Sequence, residues 1–166
     1  SCKHSWFQEG IALPAREDIA EEATTTTVPA HELAPPGGAE TILLVEDDPA
    51  VRAAARTILT RNGYRVLAAT NGVEAMALWP SIEGSVSLLL TDLVIPGGIS
   101  GQDVAERARA SRPGLPVVLM TGYSPDVAGR TLSARDSRYF LQKPFTRDAL
   151  LATVRRCLDD RAHADG

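Results

Sequence analysis

The sequence predicts an α/β fold in which helices wind around both faces of a parallel β-sheet. From residue 40 onward, short apolar runs alternate with helix-like stretches. The runs are rich in Val, Leu and Ile, as expected for parallel strands buried on both faces. Five strands alternating with five helices are typical of a doubly wound sheet with right-handed crossovers. The predicted strands span 41–45, 65–69, 87–91, 117–120 and 139–142.

The first two predicted helices have clear boundary signals. Asp48 is placed to cap the first helix, and Pro49 follows in the first turn, where proline is tolerated. Gly63 marks the end of that helix. The second helix is predicted to begin near Asn71 and to end at Pro80, because proline interrupts helices.

The remaining three helices have boundary signals of unequal strength in the sequence. Ser100 and Asp103 have the spacing of a capping box at the start of the third helix, which should end before Pro113. The fourth helix is predicted within 125–135, and the fifth begins at Thr146 and ends just before the last six residues, 161–166. The periodic apolar positions of the fifth helix are Leu150, Leu151, Val154, Cys157 and Leu158.

The chain divides into a tail, one folded domain and a short end. Residues 1–39 are predicted to be a flexible tail and linker, because residues 20–38 contain four consecutive threonines, three prolines and a Gly-Gly pair. The folded domain is predicted to span 40–162, with a C-terminal tail at 163–166.

Composition excludes several classes of function. The net charge of −4 lies mainly in residues 1–40, and a near-neutral domain without a basic stripe predicts no binding to nucleic acid. No apolar run is long enough to span a bilayer or to act as a signal peptide, so we expect a cytoplasmic chain without membrane contact. Cys2 and Cys157 are too isolated for a disulfide framework or a zinc site.

Three acidic residues follow predicted strands. Glu46 and Asp47 come after the first strand and Asp92 after the third, so all three should meet at one edge of the sheet. At a separation of about 4 Å, each pair of carboxylates would repel by roughly 4 kcal/mol, and protons or a cation must offset this repulsion. Carboxylate oxygens favour Mg²⁺, and such a site can in turn accept a phosphoryl group.

Two further residues belong to the same predicted edge. Thr121 follows the fourth strand, and Lys143 follows the fifth. Residues 41–166 contain 14 arginines and one lysine, so a compact ammonium at this position is conspicuous. Taken singly, each residue has a simpler interpretation: the acids as a solvated loop, Asp48 as a helix cap, Thr121 as a turn residue. The convergence of five such residues favours a functional site.

Four segments resemble the receiver domains of bacterial two-component response regulators. They are Leu-Leu-Val-Glu-Asp-Asp-Pro at 43–49, Leu-Thr-Asp-Leu-Val-Ile-Pro at 90–96, Leu-Met-Thr-Gly-Tyr at 119–123 and Leu-Gln-Lys-Pro-Phe at 141–145. The resemblance covers about 40–160 and implies a flavodoxin-like fold with strand order 2-1-3-4-5. It implies a phosphoacceptor in a His-Asp phosphorelay rather than an enzyme, with a histidine kinase or histidine phosphotransfer domain as partner.

The resemblance also implies a role for each site residue. Asp92 would be the phosphoacceptor, and Mg²⁺ would be held by Glu46, Asp47, Asp92 and the backbone carbonyl of Val94, with Glu46 acting largely through water. Thr121 and Lys143 would bind phosphoryl oxygens, the second of them beside a cis Lys143-Pro144 bond.

A switch and an assembly mode follow from the same resemblance. Thr121 and Phe140 would move on phosphorylation and change the face made by the fourth and fifth helices. The resemblance leaves open whether that face forms a homodimer. The loop at 96–101 has one residue more than is common, which leaves its geometry open.

The surrounding sequence suggests a larger context. The linker and the Ile-Ala-Leu-Pro-Ala stretch at 11–15 are similar to the junction that follows a kinase ATP-binding domain, so we expect the C-terminal receiver of a hybrid sensor histidine kinase, with a stand-alone receiver as the alternative. No output module follows the fifth helix, so direct regulation through DNA binding is not expected.

Three other functions are consistent with parts of this pattern. A flavin mononucleotide binder would need a phosphate loop after the first strand, where the acids would repel phosphate. A phosphatase of the haloacid-dehalogenase type would need a second acid at position 94, which is Val94. A degenerate receiver that only binds proteins is the main alternative, although every reactive position is filled.

Overall fold

A single five-stranded parallel sheet forms the centre of the domain. This computed structural model describes residues 37–122 and 139–164, which lie within one compact unit at 35–166. The strand order is β2-β1-β3-β4-β5, which confirms the predicted fold. The strands are β1 (Thr41–Val45), β2 (Arg65–Ala69), β3 (Leu88–Asp92), β4 (Val117–Thr121) and β5 (Phe140–Gln142).

Four helices accompany the sheet in the described residues. They are α1 (Pro49–Arg61), α2 (Gly72–Ile82), α3 (Gly101–Ser111) and α4 (Arg147–Ala164). Helix α4 is the fifth helix of the sequence prediction, and the helix predicted within 125–135 lies outside the described residues. Among the described helices, none combines the length and the apolar character needed to cross a membrane.

Alternate strand residues face opposite layers of helices, because side chains point to opposite faces along a strand. Leu88 and Leu90 of β3 pack with buried residues of α1 and α4, whereas Leu89 packs with those of α2 and α3. Both faces of the central strands are therefore buried, which explains their unbroken apolar sequences.

The helix starts follow the predicted capping chemistry. The Asp48 carboxylate accepts hydrogen bonds from the amides of Ala50 and Val51 at the start of α1. At α3, the Ser100 hydroxyl accepts from the Asp103 amide, and the Asp103 carboxylate accepts from the Ser100 amide. These bonds satisfy amides that have no partner within their own helix, which fixes where each helix begins.

Helix α2 differs from its prediction, because Pro80 lies inside it rather than at its end. The loss of one amide near the C-terminus is tolerated, since the Glu83 amide closes the last turn on the Trp79 carbonyl at 2.8 Å. Trp79 is buried, and its indole nitrogen donates to Ser111 Oγ at 2.9 Å. Packing against α3 thus stabilises the turn that proline would otherwise weaken.

Further boundaries differ from the sequence prediction, among them the end of β4 at Thr121 and the start of β5 at Phe140. Helix α4 continues through Arg161 to Ala164, because no glycine or proline interrupts it there. Strand β3 includes Asp92, which pairs in register with Met120 of β4, so this acid is the last residue of the strand and not the first of the loop. Strand pairing therefore fixes the backbone of Asp92.

Cys157 lies on the buried apolar face of α4, as its place in the apolar periodicity of this helix predicted. It is 2% exposed within the core on the α1 and α4 side of the sheet. Burial raises the pKa of its thiol to about 12, so the thiol stays protonated at neutral pH.

Helix α3 packs closely against the end of β3 at a glycine. A methyl group on Gly101 would collide with the backbone carbonyl oxygen of Asp92. The Gly101 amide also donates to the Leu93 carbonyl at 3.3 Å. The absence of a side chain at Gly101 therefore allows α3 to begin beside the acid-bearing end of the strand.

We expect Gly101→Ala to lower the free energy of unfolding by about 1–3 kcal/mol, because backbone atoms must move to accommodate the methyl group. Gly84→Ala is the matched control, since nothing lies within 4 Å of its added methyl group. That change should be neutral or slightly stabilising. Urea denaturation of the three proteins measures the difference, and equal stability of the two variants would contradict the close packing at Gly101.

Candidate functional site: carboxylates and a lysine at the carboxyl edge of the sheet

The sheet register places the predicted site residues level with one another. Val45 pairs with Thr91, so Glu46 and Asp47 follow β1 at the height where β3 ends in Asp92. Thr121 ends β4 and pairs with Gln142 of β5, which Lys143 follows directly. Four adjacent parallel strands therefore deliver all five residues to the carboxyl edge of the sheet, as the sequence predicted.

The three acids form one compact group. Carboxylate oxygens of Glu46, Asp47 and Asp92 lie within 4.8 Å of one another. Glu46 is fully buried, Asp92 is 6% exposed, and Asp47 is exposed. The group therefore has an open side at Asp47 and a closed side at Glu46.

Lys143 provides the cation that the acids require. Its Nζ lies 2.6 Å from Asp92 Oδ2 and 3.1 Å from Glu46 Oε2. Its side chain is 21% exposed, so these ion pairs are only partly accessible to solvent. The ammonium thus offsets part of the repulsion between the two more buried acids.

Burial and pairing shift the pKa values of this group in definite directions. Burial, reinforced by the charge of Asp92, raises the pKa of Glu46 despite hydrogen bonds from the Asp48 amide and Lys143. Burial acts to lower the pKa of Lys143, but its hydrogen bonds to Asp92 and Glu46 outweigh that effect and raise it. Lys143 is therefore fully charged at neutral pH.

Backbone amides also fix the orientation of the carboxylates. The Asp48 amide donates to Glu46 Oε1 at 3.1 Å, and the Val94 amide donates to Asp92 Oδ1 at 3.2 Å. Both oxygens of Glu46 and both oxygens of Asp92 therefore have a hydrogen-bond donor. Such bonding holds each side chain in one orientation.

The remaining predicted residues lie around this group. Thr121 is buried, and its carbonyl accepts from the Lys143 amide at 2.7 Å. Phe140 is half-buried and packs against the core on the α2 and α3 side. Val94 is 61% exposed, and the Lys143-Pro144 bond is cis, as the resemblance implied.

Sequence reasoning missed one residue beside the site, Arg52 of α1. Its Nη1 donates to the carbonyl oxygen of Glu46 at 2.8 Å and to that of Asp47 at 3.3 Å. A basic residue in the first turn of a helix runs against the usual charge preference, and that signal was available in the sequence. Arg52 therefore contacts the backbone of the two acids that precede its helix.

The donor set fits Mg²⁺ by its chemistry. All three groups are carboxylates, which are the hard oxygen ligands that this ion prefers, and no histidine or thiol joins them among the described residues. The exposed Asp47 leaves an approach from solvent. A small divalent cation with retained water is the species that such a site suits best.

Comparison with known proteins agrees with the fold. Residues 42–155 match the model of the response regulator receiver domain family. The chain is 34% identical to the sensor kinase CckA of Brucella abortus over 147 residues, which are 89% of this chain and 14% of CckA. The curated relatives are longer proteins, since the chain spans half of their length or less.

Solved structures give the same result. A CheY-like receiver domain protein of Methanospirillum hungatei is 30% identical, with a TM-score of 0.65 over 78% of this chain and 100% of that protein. The receiver domain of the hybrid histidine kinase CckA is 33% identical, with a TM-score of 0.60 over 71% of this chain and 98% of that domain. The sheet order and the group of three acids and one lysine (Glu46, Asp47, Asp92 and Lys143, called the acid–lysine group below) agree with this match. The chain belongs to the response regulator receiver domain family, the phosphoacceptor domains of two-component signalling.

Proposed function

We propose that Asp92 accepts a phosphoryl group from a phosphohistidine of a partner protein. The observation that supports this assignment most directly is that Asp92 contacts Lys143 and also belongs to the compact group of three acids. Its carboxylate ends a paired strand and is oriented by the Val94 amide and by Lys143. A nucleophile fixed in this way is set up for reaction at one face.

The transfer is a displacement at phosphorus. A carboxylate oxygen of Asp92 forms the new bond to phosphorus, while the bond from phosphorus to the histidine nitrogen breaks. The electron pair of that bond returns to the imidazole, and the product on this chain is an acyl phosphate.

A divalent cation completes the proposed site. Glu46, Asp47, Asp92 and the carbonyl of Val94 would hold Mg²⁺, with Glu46 acting largely through water. The ion would supply positive charge that offsets the approach of an anionic phosphoryl group to three acids. The compact set of carboxylate oxygens supports this proposal.

Lys143, Thr121 and Phe140 would respond to the new group. The Lys143 ammonium would exchange part of its contact with Asp92 for a phosphoryl oxygen, and the Thr121 hydroxyl would bind another. Phe140, which is half-buried on β5, would then turn inward and alter the surface beside α4. Two copies of the chain would form a homodimer through that surface.

The partner would be a histidine kinase or a histidine phosphotransfer domain, as for receiver domains in general. A hollow of about 250 Å³ lies beside the site, between α1 and the turn after β5. Its lining residues are Ala50, Val51, Ala54, Lys143, Pro144 and Phe145. This mostly apolar lining next to Asp92 and Lys143 offers a surface on which a partner helix can dock.

We further propose that the chain is the receiver of a hybrid sensor kinase. The similarity to CckA covers 89% of the chain, more than the receiver region alone spans. It therefore includes part of the predicted linker. Three other relatives match over 70–72% of the chain.

The central test is the intact mass of the chain after incubation with acetyl phosphate and Mg²⁺. We expect one added phosphoryl group, absent in Asp92→Asn and absent without metal. Asp148→Asn is the matched control, because Asp148 is an exposed acid at the start of α4 and should leave the reaction unchanged. An unaltered adduct in Asp92→Asn would refute the assignment of the nucleophile.

Lys143→Met tests the charge balance of the site. Without metal, it should lower the free energy of unfolding by about 3 kcal/mol, because two buried acids lose their cation. Mg²⁺ should restore much of this stability and bind more tightly than in the wild-type chain, since the competing ammonium is gone. Urea unfolding with and without Mg²⁺ provides the measurement.

Arg147→Met serves as the control for Lys143→Met, since Arg147 is an exposed cation on the same segment. It should change stability by less than about 0.5 kcal/mol at either Mg²⁺ concentration. A loss in Lys143→Met that Mg²⁺ does not reduce would show that the lysine has a packing role only.

Cells that encode the chain provide the test of the hybrid proposal. An antibody raised against this domain should detect a protein much heavier than 17.7 kDa, the mass of the present chain. A strain that lacks the gene is the control for antibody specificity. A specific band near 17.7 kDa would instead favour a stand-alone receiver.

A further inference from the structure

We propose that Arg52 is a positioning residue for the metal site. In this proposal its guanidinium holds the turn between β1 and α1 in the conformation that presents the carboxylates of Glu46 and Asp47. The inference rests on the proposed role of these acids as Mg²⁺ ligands. It assigns a task to a residue of α1 whose own side chain is not a ligand.

The hydrogen bonds of the turn support this assignment. Strand β1 ends at Val45, and the carbonyls of Glu46 and Asp47 lie between the strand and the helix. Arg52 Nη1 donates to both of these oxygens, at 2.8 and 3.3 Å. The Arg52 amide donates to the next carbonyl, that of Asp48, at 2.9 Å. The guanidinium therefore provides a donor for two consecutive carbonyls, which are groups that need partners once the strand has ended, and the amide makes the first intrahelical bond of α1.

The turn is closed by a second set of bonds from the opposite direction. The Asp48 amide donates to Glu46 Oε1, and the Asp48 side chain caps α1. The Glu46 amide continues the sheet ladder to the Ala69 carbonyl at 3.2 Å. Amides and carbonyls of this short turn are thus fixed by different partners, and Arg52 is the partner of the carbonyls.

The position of Arg52 in the helix explains its reach. Helical side chains lean toward the N-terminus, so an arginine at the fourth helical position can reach back past the cap. A cation at this end of a helix is disfavoured by the helix dipole. Its contacts with the Glu46 and Asp47 carbonyls are therefore a specific interaction that offsets this cost. Arg56, one turn further along, is exposed.

Two effects of Arg52 on Mg²⁺ affinity have opposite signs. Its positive charge repels the ion, so a purely electrostatic role predicts tighter binding once the charge is removed. Its hydrogen bonds hold the ligand-bearing turn in place, so a positioning role predicts weaker binding when they are lost. The sign of the change therefore separates the two roles.

The experiment compares the wild-type chain with Arg52→Met, Arg52→Gln and Arg52→Lys, and with Arg56→Met as control. Calorimetric titration with MgCl₂ gives the affinity of each folded protein. We expect Arg52→Met to bind Mg²⁺ roughly threefold to tenfold more weakly, the effect of losing about one hydrogen bond. Arg52→Lys, which keeps donors and charge, should recover most of the affinity, and Arg52→Gln part of it. Arg56→Met should not weaken binding.

A second measurement is made without metal and without phosphorylation. Amide exchange of Asp48, followed by NMR, reports on the turn itself, because this amide is bonded to Glu46. It should be faster in Arg52→Met than in the wild-type chain and unchanged in Arg56→Met. A purely stabilising role of Arg52 would lower the unfolding midpoint but leave the Mg²⁺ affinity of the folded protein unchanged.

The outcomes distinguish this inference from the proposed function. Mg²⁺ affinity in Arg52→Met equal to or above that of the wild-type chain would overturn the positioning role. If the wild-type chain binds Mg²⁺ but gains no phosphoryl group on Asp92, the proposed function fails, and the affinities of the Arg52 variants still decide the inference. If the wild-type chain binds no Mg²⁺, both are overturned.

Discussion

The contact of the Lys143 ammonium with Asp92 and Glu46 is the interaction on which the site depends. Glu46 is fully buried, and a buried carboxylate without a partner would cost several kcal/mol. Lys143 bonds to one of its oxygens and to one oxygen of Asp92, at 3.1 and 2.6 Å. These contacts join β1, β3 and β5 at their carboxyl ends. They allow reactive acids to remain close together within a stable fold.

Strand register and close backbone packing place the residues that make this contact. Parallel pairing places the ends of four strands at one height, and the last pair of β3 and β4 includes Asp92 itself. Helix α3 can begin beside that residue only because Gly101 has no side chain. The position of Asp92 is thus set mainly by the backbone, and its side chain needs only the Val94 amide and Lys143 for orientation.

Most of the fold and all members of the acid–lysine group could be predicted from the sequence. Strands β1 and β2 and the starts of the four described helices were predictable, since apolar periodicity and capping residues are local signals. The continuation of α2 past Pro80 was not, because it depends on a contact between Trp79 and α3 that the local sequence does not contain. Arg52 is unusual as a basic residue in the first turn of a helix, and the sequence shows that much. Its partners could not be predicted, because they are backbone carbonyls, which the residue types around Arg52 do not identify.

The charges of the site explain why it suits a divalent cation together with a lysine. Three carboxylates and one ammonium leave a formal charge of −2, since −3 plus +1 is −2. A monovalent ion would leave the site anionic and repel a phosphoryl donor, whereas a divalent ion makes it neutral. Lys143 alone cannot do this, because one ammonium offsets only one of the three negative charges. The exposed Asp47 provides the open side where a hydrated ion can enter, and the buried pair of Glu46 and Lys143 provides the fixed side. A cation that entered from solvent would thus neutralise the site and leave the hydrogen bond between Glu46 and Lys143 in place as a phosphoryl group approached.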